Sequence, residues 1–432
     1  MGYLELLRSQ PRFRRLWLGQ IVSELGDWLQ IIALLGLFPT KGAAVELLAG
    51  VFIVRILPAL IWAPLAGVVA DRYRRGRVMV ACDVGRALIV LGYLGVRGPE
   101  DVGLIYLLMF AQESLTTVFE PARAAALPQV VEPRALLAAN SLSGATWSAM
   151  LALGATLGGV IASLGGPRAA FLADAASFVA SALLIGSIGI PAVQRDAAGQ
   201  KAHAADRFGI FAMREGAGYL RAHPAQAAAA TVKGLWGMCG GIVFLFSVYA
   251  GEIYLEQGSD PARATGLLYA GRGVGALIGP LVARRIWGES ATALRRGIQA
   301  GLPLAACSFV AFSYAPSAIL GALCLVFAHA GGSTCWVSST QLLQLTVPNS
   351  LQGRVFSVEQ ATFTVTVALS NGLVGAALGR AYLGIWGATL SIAVAALAGA
   401  LIWALLMRRL GARLDEAAAP GKDEAIAPAL SG

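Results

Sequence analysis

Glu24 and Asp27 stand in a stretch, residues 16–38, whose other members are mostly apolar. With Gln20, Ser23 and Gln30 they recur three or four residues apart, which places all five on one face of a helix. Glu113, Thr116, Thr117 and Glu120 form a similar stripe within 103–126. Glu359, Thr362, Thr366 and Ser370 make a third, and His329, Ser333, Trp336 and Thr340 a fourth. An ionisable group inside so apolar a segment is costly and marks function by default. The chemistry open to a carboxyl in a low-dielectric place is proton exchange. Its neutral form is favoured there, and it can load and release a proton near neutral pH. A cationic or amphipathic molecule can compete for the same carboxyl. Only three histidines occur, and the five cysteines are scattered without a CxxC pair. Enzyme chemistry, a metal and a cofactor are therefore not expected.

The elements that must position these groups are read from composition. Of 432 residues 57% are hydrophobic and 13% charged, with mean hydropathy +0.69. A soluble domain carries about 25% charged residues. An all-α membrane protein is expected. A spanning helix needs about 20 mostly apolar residues. Twelve segments qualify: 16–38, 44–70, 78–96, 103–126, 141–164, 168–190, 227–250, 264–286, 298–315, 317–343, 355–378 and 381–407. At about 1.5 Å per residue Asp27 lies about 16 Å into the first, near mid-depth. The net charge of +9 does not point to nucleic acid, because Arg and Lys come in short clusters between apolar runs. The termini and every second loop hold most of them, including Arg8–Arg15, Arg72–Arg77, Arg123, Arg284–Arg296, Arg354 and the tail from Arg408. The other side holds only Lys41, Arg97, Arg168, Arg263 and Arg380. Both termini are expected in the cytoplasm. The polar stretch 191–226 divides the spans six and six, giving a first bundle over 1–190, a linker over 191–226, a second bundle over 227–410 and a disordered tail over 411–432. Within the linker, FAMREGAGYLRAHP has the pattern of a short amphipathic helix on the membrane surface.

The halves echo each other. Gly67-x-x-x-Asp71-Arg72 ends the second span, and Gly279-x-x-x-Ala283-Arg284, 212 residues on, ends the eighth. Pro133-Arg-Ala-Leu136 recurs 215 residues later as Pro348-Asn-Ser-Leu351. Two echoes at nearly one spacing indicate a duplication in the same orientation. The stretch GVVADRYRRGR (67–77) resembles the cytoplasmic signature of major facilitator transporters. FRRLWLGQIVSELGDWL (13–29), FEPARAAALPQVVEPRALLAANSL (119–142) and VPNSLQGRVFSV (347–358) resemble the bacterial exporter branch that includes macrolide efflux and enterobactin export proteins. The resemblance implies two six-helix bundles rocking about a central cavity. It also implies a conformational latch of Gly67, Asp71, Arg72 and Arg75, with Asp71 meeting the start of the eleventh span at Gln352, Gly353 and Arg354. The signature is altered at Arg74, where the family has Gly. LGATLGG (153–159) has Ala155 where the family's antiporter signature has Pro, and the usual mid-membrane Arg of the fourth span is missing.

In that family the first, fourth, seventh and tenth spans line the cavity. The resemblance therefore implies that the acids of the first and fourth spans point into it. Asp27, Glu24 and Glu113 are expected to couple protons, and Gln20, Gln30, Arg55, Thr117, His329, Trp336 and Thr366 are expected to line the substrate cavity. Arg86, three residues after Asp83, has the spacing of a structural ion pair. Arg55 needs an anion, with Glu24, Asp27 and the substrate as candidates. Arg272 lies within GRGVGALIG (271–279), where close helix packing is expected rather than a dinucleotide loop. The expected function is export of amphipathic small molecules, drug-like or siderophore-like, across the cytoplasmic membrane by proton antiport. A transporter of lysophospholipid or another lipid in the same fold is the alternative. The expected partners are the small-molecule substrate, protons and the lipid bilayer, with a monomer as the working unit.

Overall fold

In hydrocarbon a backbone N–H finds no water, so a spanning segment must close its hydrogen bonds within itself. The apolar runs accordingly become helices. The structure, a computed structural model, describes residues 3–38, 44–132, 135–190, 210–288 and 290–418. The expected linker core, 191–209, and most of the expected tail lie outside these residues. A short helix, Tyr3–Ser9, leads into α1 (Pro11–Leu35). Then come α2 (Ala44–Arg72), α3 (Arg75–Gly92) and α4 (Val102–Val130). The helix Leu136–Gly186 bends at Gly166, whose φ of 71° suits glycine, followed by Pro167. Its arms are α5 (136–165) and α6 (167–186). After the linker helix Ile210–Ala222, α7 begins at Pro224–Gly237 and resumes over Ile242–Tyr249, closing in a π turn at Ala250–Tyr254. The rest are α8 (Pro261–Trp287), α9 (Ala291–Ser313), α10 (Ala318–Thr346), α11 (Asn349–Gly379) and α12 (Ile385–Ala417).

Among the described residues ten helices are long and apolar enough to cross a membrane. One of the ten is the bent pair α5–α6. The remaining helix, α9, is 23 residues long and carries Arg295 and Arg296 at its entrance. Twelve spans result, as expected, with both described ends of the chain on one side. The short turn expected at 314–317 is found between α9 and α10. The linker helix forms as well, but it rests on protein rather than on the membrane surface alone. Its Glu215 pairs with Arg354 of α11, and a Cβ at Gly216 would strike the Arg354 backbone.

Lipid tails are as apolar as the helices, so helices associate through close packing and small residues. Glycines mark the tightest crossings. A Cβ at Gly158 of α5 would lie 3.1 Å from the Leu29 Cα of α1. Between the halves, at the end away from the chain termini, α5 meets α8 and α2 meets α11. A Cβ on Gly159 would lie 2.6 Å from the Ala262 carbonyl oxygen, on Gly266 2.5 Å from that of Ala155, and on Gly375 2.5 Å from the Ala49 Cβ. Arg380 reaches Glu46 at 3.7 Å beside this second crossing. The halves are thus shut together at the far end. In α7 the helix breaks at 238–241, and Ser370 of α11 holds the break, accepting from the Gly241 N–H at 2.9 Å and donating to the Met238 carbonyl at 2.7 Å.

Inside the first bundle, Arg86 of α3 is fully buried and paired with Asp83. Its guanidinium lies between the Phe119 and Phe178 rings, 4.5 and 4.4 Å from their centroids.

Two outcomes test this packing. In Gly266→Val the far seam cannot close, so spin labels at positions 165 and 259 in a cysteine-depleted background will separate; an unchanged distance distribution would refute the steric seam. Arg86→Met leaves Asp83 buried without its cation and will cost about 3–5 kcal/mol, read as a lowered melting temperature in detergent. Adding Asp83→Asn will recover most of the loss.

Candidate substrate chamber

α1 carries its polar residues on the face opposite its close contacts. Gly154 and Gly158 of α5 lie against Trp28 and Leu29, while Gly19 and Gly26 let α6 approach at Ser181, Ser177 and Asp174. The remaining face borders a chamber of about 450 Å³ within the first half, lined from α1, α2, α3, α4 and α5. Phe13, Leu16, Leu127 and Asn140 line it toward the end that carries the termini. Gln20, Ser23, Glu24, Asp27, Arg55, Glu113, Glu120, Arg123 and Trp147 line its walls.

Its charges pair selectively. Arg55 Nε donates to Glu113 Oε1 at 2.9 Å, with the guanidinium 5.5 Å from the Trp28 ring. Arg123 binds Glu120 at 2.7 Å and donates to Gln20 Oε1 at 3.2 Å. Arg86 is held by Asp83. The three arginines around the chamber are thus matched by three carboxylates, and Glu24 and Asp27 are left over. Glu24 Oε1 accepts from Gln20 Nε2 at 2.8 Å, while Oε2 is buried without a partner. No side chain among the described residues hydrogen-bonds to Asp27, which lies in the electrostatic reach of Arg86, Arg55 and Glu113. Behind α1, Asp174 of α6 is fully buried; its Oδ1 accepts from Ser177 at 3.2 Å and its Oδ2 has no partner.

The structure therefore brings together Gln20, Glu24, Asp27, Arg55 and Glu113. Other expected cavity residues lie elsewhere. Gln30 exchanges amide hydrogen bonds with Gln112 at 2.8 and 2.9 Å, sealed in the bundle. Thr117 donates to the Glu113 carbonyl of its own helix at 2.8 Å and does not border the chamber. His329 is buried in the second half among Trp236, Phe246 and Phe309. Thr366 packs against Gly237 at the end of the first segment of α7. Trp336 faces Lys233, whose Nζ is 4.5 Å from its ring and 2.7 Å from Glu359 Oε2. Lys233 was not singled out by the sequence, and Glu359 of the third stripe is buried in this pair. Asp174 was passed over as well, since no second acid shares its face of α6. Of the expected latch, the side chains of Gly67, Asp71 and Arg72 lie outside the described residues. Arg75 donates to the Ala125 carbonyl of α4 at 2.7 Å, within the first half. At the start of α11, Arg354 is taken by Glu215, and Gly353 has open space beside it.

Comparison with known proteins gives the same fold. Residues 6–423 match the family of transmembrane secretion effectors. The chain is 26% identical over 394 residues to the MFS-type transporter YfiS of Bacillus subtilis, covering 88% of this chain and 89% of that one. It is 24% identical over 366 residues to the putative bacilysin exporter BacE of Bacillus amyloliquefaciens, covering 84% and 88%. To the enterobactin exporter EntS of Citrobacter koseri it is 26% identical over 432 residues, covering 94% of each. Among solved structures, a bacterial homologue of the iron transporter ferroportin in its inward-facing state superposes with a TM-score of 0.64 at 15% identity, covering 93% of this chain and 99% of that one. A bacterial homologue of the lysosomal transporter Spinster, also inward-facing, gives 0.64 at 13%, covering 97% and 98%. With nearly its whole length matched, the chain belongs to the transmembrane secretion effector family and is a membrane transporter of the major facilitator superfamily.

Proposed function

We propose that the protein exports amphipathic small molecules carrying a positive charge, in exchange for protons. The observation that carries this reading is the surplus of acid in the chamber. Glu24 and Asp27 face it without a cation of their own, while the arginines that line it, Arg55, Arg86 and Arg123, are each matched by another carboxylate. Such carboxyls must be neutralised by a proton or by a cationic load, and the two compete for the same oxygens. Aromatic walls at Trp28 and Trp147 suit the apolar part of a load. The named exporters among the relatives, for bacilysin and enterobactin, favour export over uptake.

The protein is placed in the cytoplasmic membrane with both termini inside, by the distribution of arginine between its loops. On that placement the chamber opens to the cytoplasm, where a load enters. The halves then part at the glycine seam, the load leaves, and protons occupy Glu24 and Asp27 for the return. Arg55 keeps Glu113 out of this exchange by neutralising it. The linker division and the single-copy working unit belong to the same reading.

Two measurements test it. In proteoliposomes with ethidium as probe, an imposed pH gradient will drive transport. Asp27→Asn and Glu24→Gln will each lower gradient-driven flux about tenfold or more, a barrier change of about 1.4 kcal/mol; flux unaffected by collapsing the gradient would end the proton-exchange reading. Glu113→Gln releases Arg55 beside Asp27, so ethidium binding to the purified protein will weaken about tenfold. Adding Arg55→Gln will restore it.

A further inference from the structure

The chamber accounts for the positive end of a load. A different residue, in the other half, accounts for a negative end. Arg272 lies midway along α8, with Gly271 packed on Ala322 of α10 and Gly273 on Ala152 of α5. These crossings fix the helix on both flanks of the arginine. Its guanidinium carbon is 5.9 Å from the Tyr269 ring. Tyr269 in turn meets Trp28 of the first half, ring centroids 5.8 Å apart. Trp28 carries Arg55 on its face at 5.5 Å and forms part of the chamber wall.

Arg272 differs from the other cations held at depth. Arg55 has Glu113, Arg86 has Asp83, Arg123 has Glu120 and Lys233 has Glu359. Among the described residues no carboxylate pairs with Arg272, and no hydrogen bond is made to it. The ionisable groups within electrostatic reach of it are Tyr269, Arg55 and His329. None is a carboxylate, and one is a like charge. A guanidinium at this depth, permanently charged and unpaired, needs an anion, and its planar fork fits a carboxylate or phosphate bidentately.

We propose that Arg272 receives the acidic group of the transported molecule, so that the preferred loads are amphipathic zwitterions. The amine sits at Glu24 and Asp27, the apolar body against Trp28 and Tyr269, and the anion at Arg272. The acids belong to the first half and Arg272 to the second, so one load grips both halves and follows their relative motion. This rests on the export reading above.

Norfloxacin is a suitable probe: a charged piperazine at one end, a carboxylate at the other and an aromatic body between. Equilibrium dialysis of the purified full-length protein against norfloxacin, its ethyl ester and its decarboxylated analogue decides the matter. The wild type will bind norfloxacin about tenfold more tightly than either analogue, the scale of one charge-assisted contact. Arg272→Gln will abolish that preference and leave the decarboxylated analogue bound as before, whereas Arg272→Lys will keep part of the preference. Equal loss for all three compounds in Arg272→Gln, or no preference in the wild type, overturns the proposal. Should Arg272→Gln fail to fold, the three-compound comparison on the wild type still decides. Gradient-driven export of the decarboxylated analogue without any preference for the carboxylate would remove Arg272 from the site and leave the exporter standing. If none of the compounds is bound or exported, both readings fall together.

Discussion

A charge held among apolar helices has to be neutralised where it stands, because the surrounding hydrocarbon cannot solvate it. The arrangement of this protein follows from how that demand is met. Asp83 and Arg86 answer each other inside one bundle, with the guanidinium over two aromatic rings. Arg55 and Glu113 do the same between α2 and α4, and Lys233 and Glu359 between α7 and α11. These pairs are internal to a half and ask nothing of a substrate. On the export reading, what is left over is functional for that reason. Among the described residues Glu24 and Asp27 in the chamber, Asp174 behind it and Arg272 in the second half pair with no opposite charge, and a molecule or a proton supplies what Glu24, Asp27 and Arg272 lack.

The seams decide how the leftover charges can be used. At the far end, glycines let α5 and α8 come within backbone contact and let α11 close on the side chains of α2. Such an interface has little to lose on separation except packing, since lipid tails offer the helices no hydrophobic drive to remain together. It is therefore suited to opening and closing. The buried ion pairs lie within the halves; on the export reading the contacts that change lie between them, the exposed Arg380–Glu46 pair included. The break in α7, fastened by Ser370 to α11, likewise keeps an irregular backbone satisfied within its own half.

Much of this was legible in the sequence. Long apolar runs gave twelve spans, and the helical period put Gln20, Glu24 and Asp27 on one face, where the structure has them in one chamber. The Asp83–Arg86 pair followed from a spacing of three. The losses share a cause: a stripe on one helix says which residues share a face, not what that face meets. Gln30 lies on the same stripe as Asp27, yet one turn further along the face meets Gln112 instead of the chamber. Trp336 and Thr366 fall on stripes that turn toward α7. The partner of Arg55 was left open between two acids of α1 and the substrate, and Glu113 of α4 proved to be it, a choice set by how α2 crosses α4. Lys233 was hidden by its apolar flanks, because its counter-charge is 126 residues away.

The two halves have spent the same crossing differently. Lys233 stands 213 residues after Gln20, and Glu359 213 residues after Thr146, close to the interval of the repeated motifs. In the first half Gln20 donates to the Ser143 carbonyl at 3.1 Å, and Trp17 to Thr146 at 2.8 Å. In the second half the corresponding crossing is closed by an ion pair under the Trp336 ring. Neutral hydrogen bonds leave room beside α1 for a wet chamber with unpaired acids; a lysine filling the equivalent place in α7 removes both the room and the surplus charge. On the export reading, the duplicated scaffold thus divides its labour by charge. One half holds groups whose neutralisation changes through the cycle. The other keeps Glu359 answered by Lys233 and offers Arg272 across the seam.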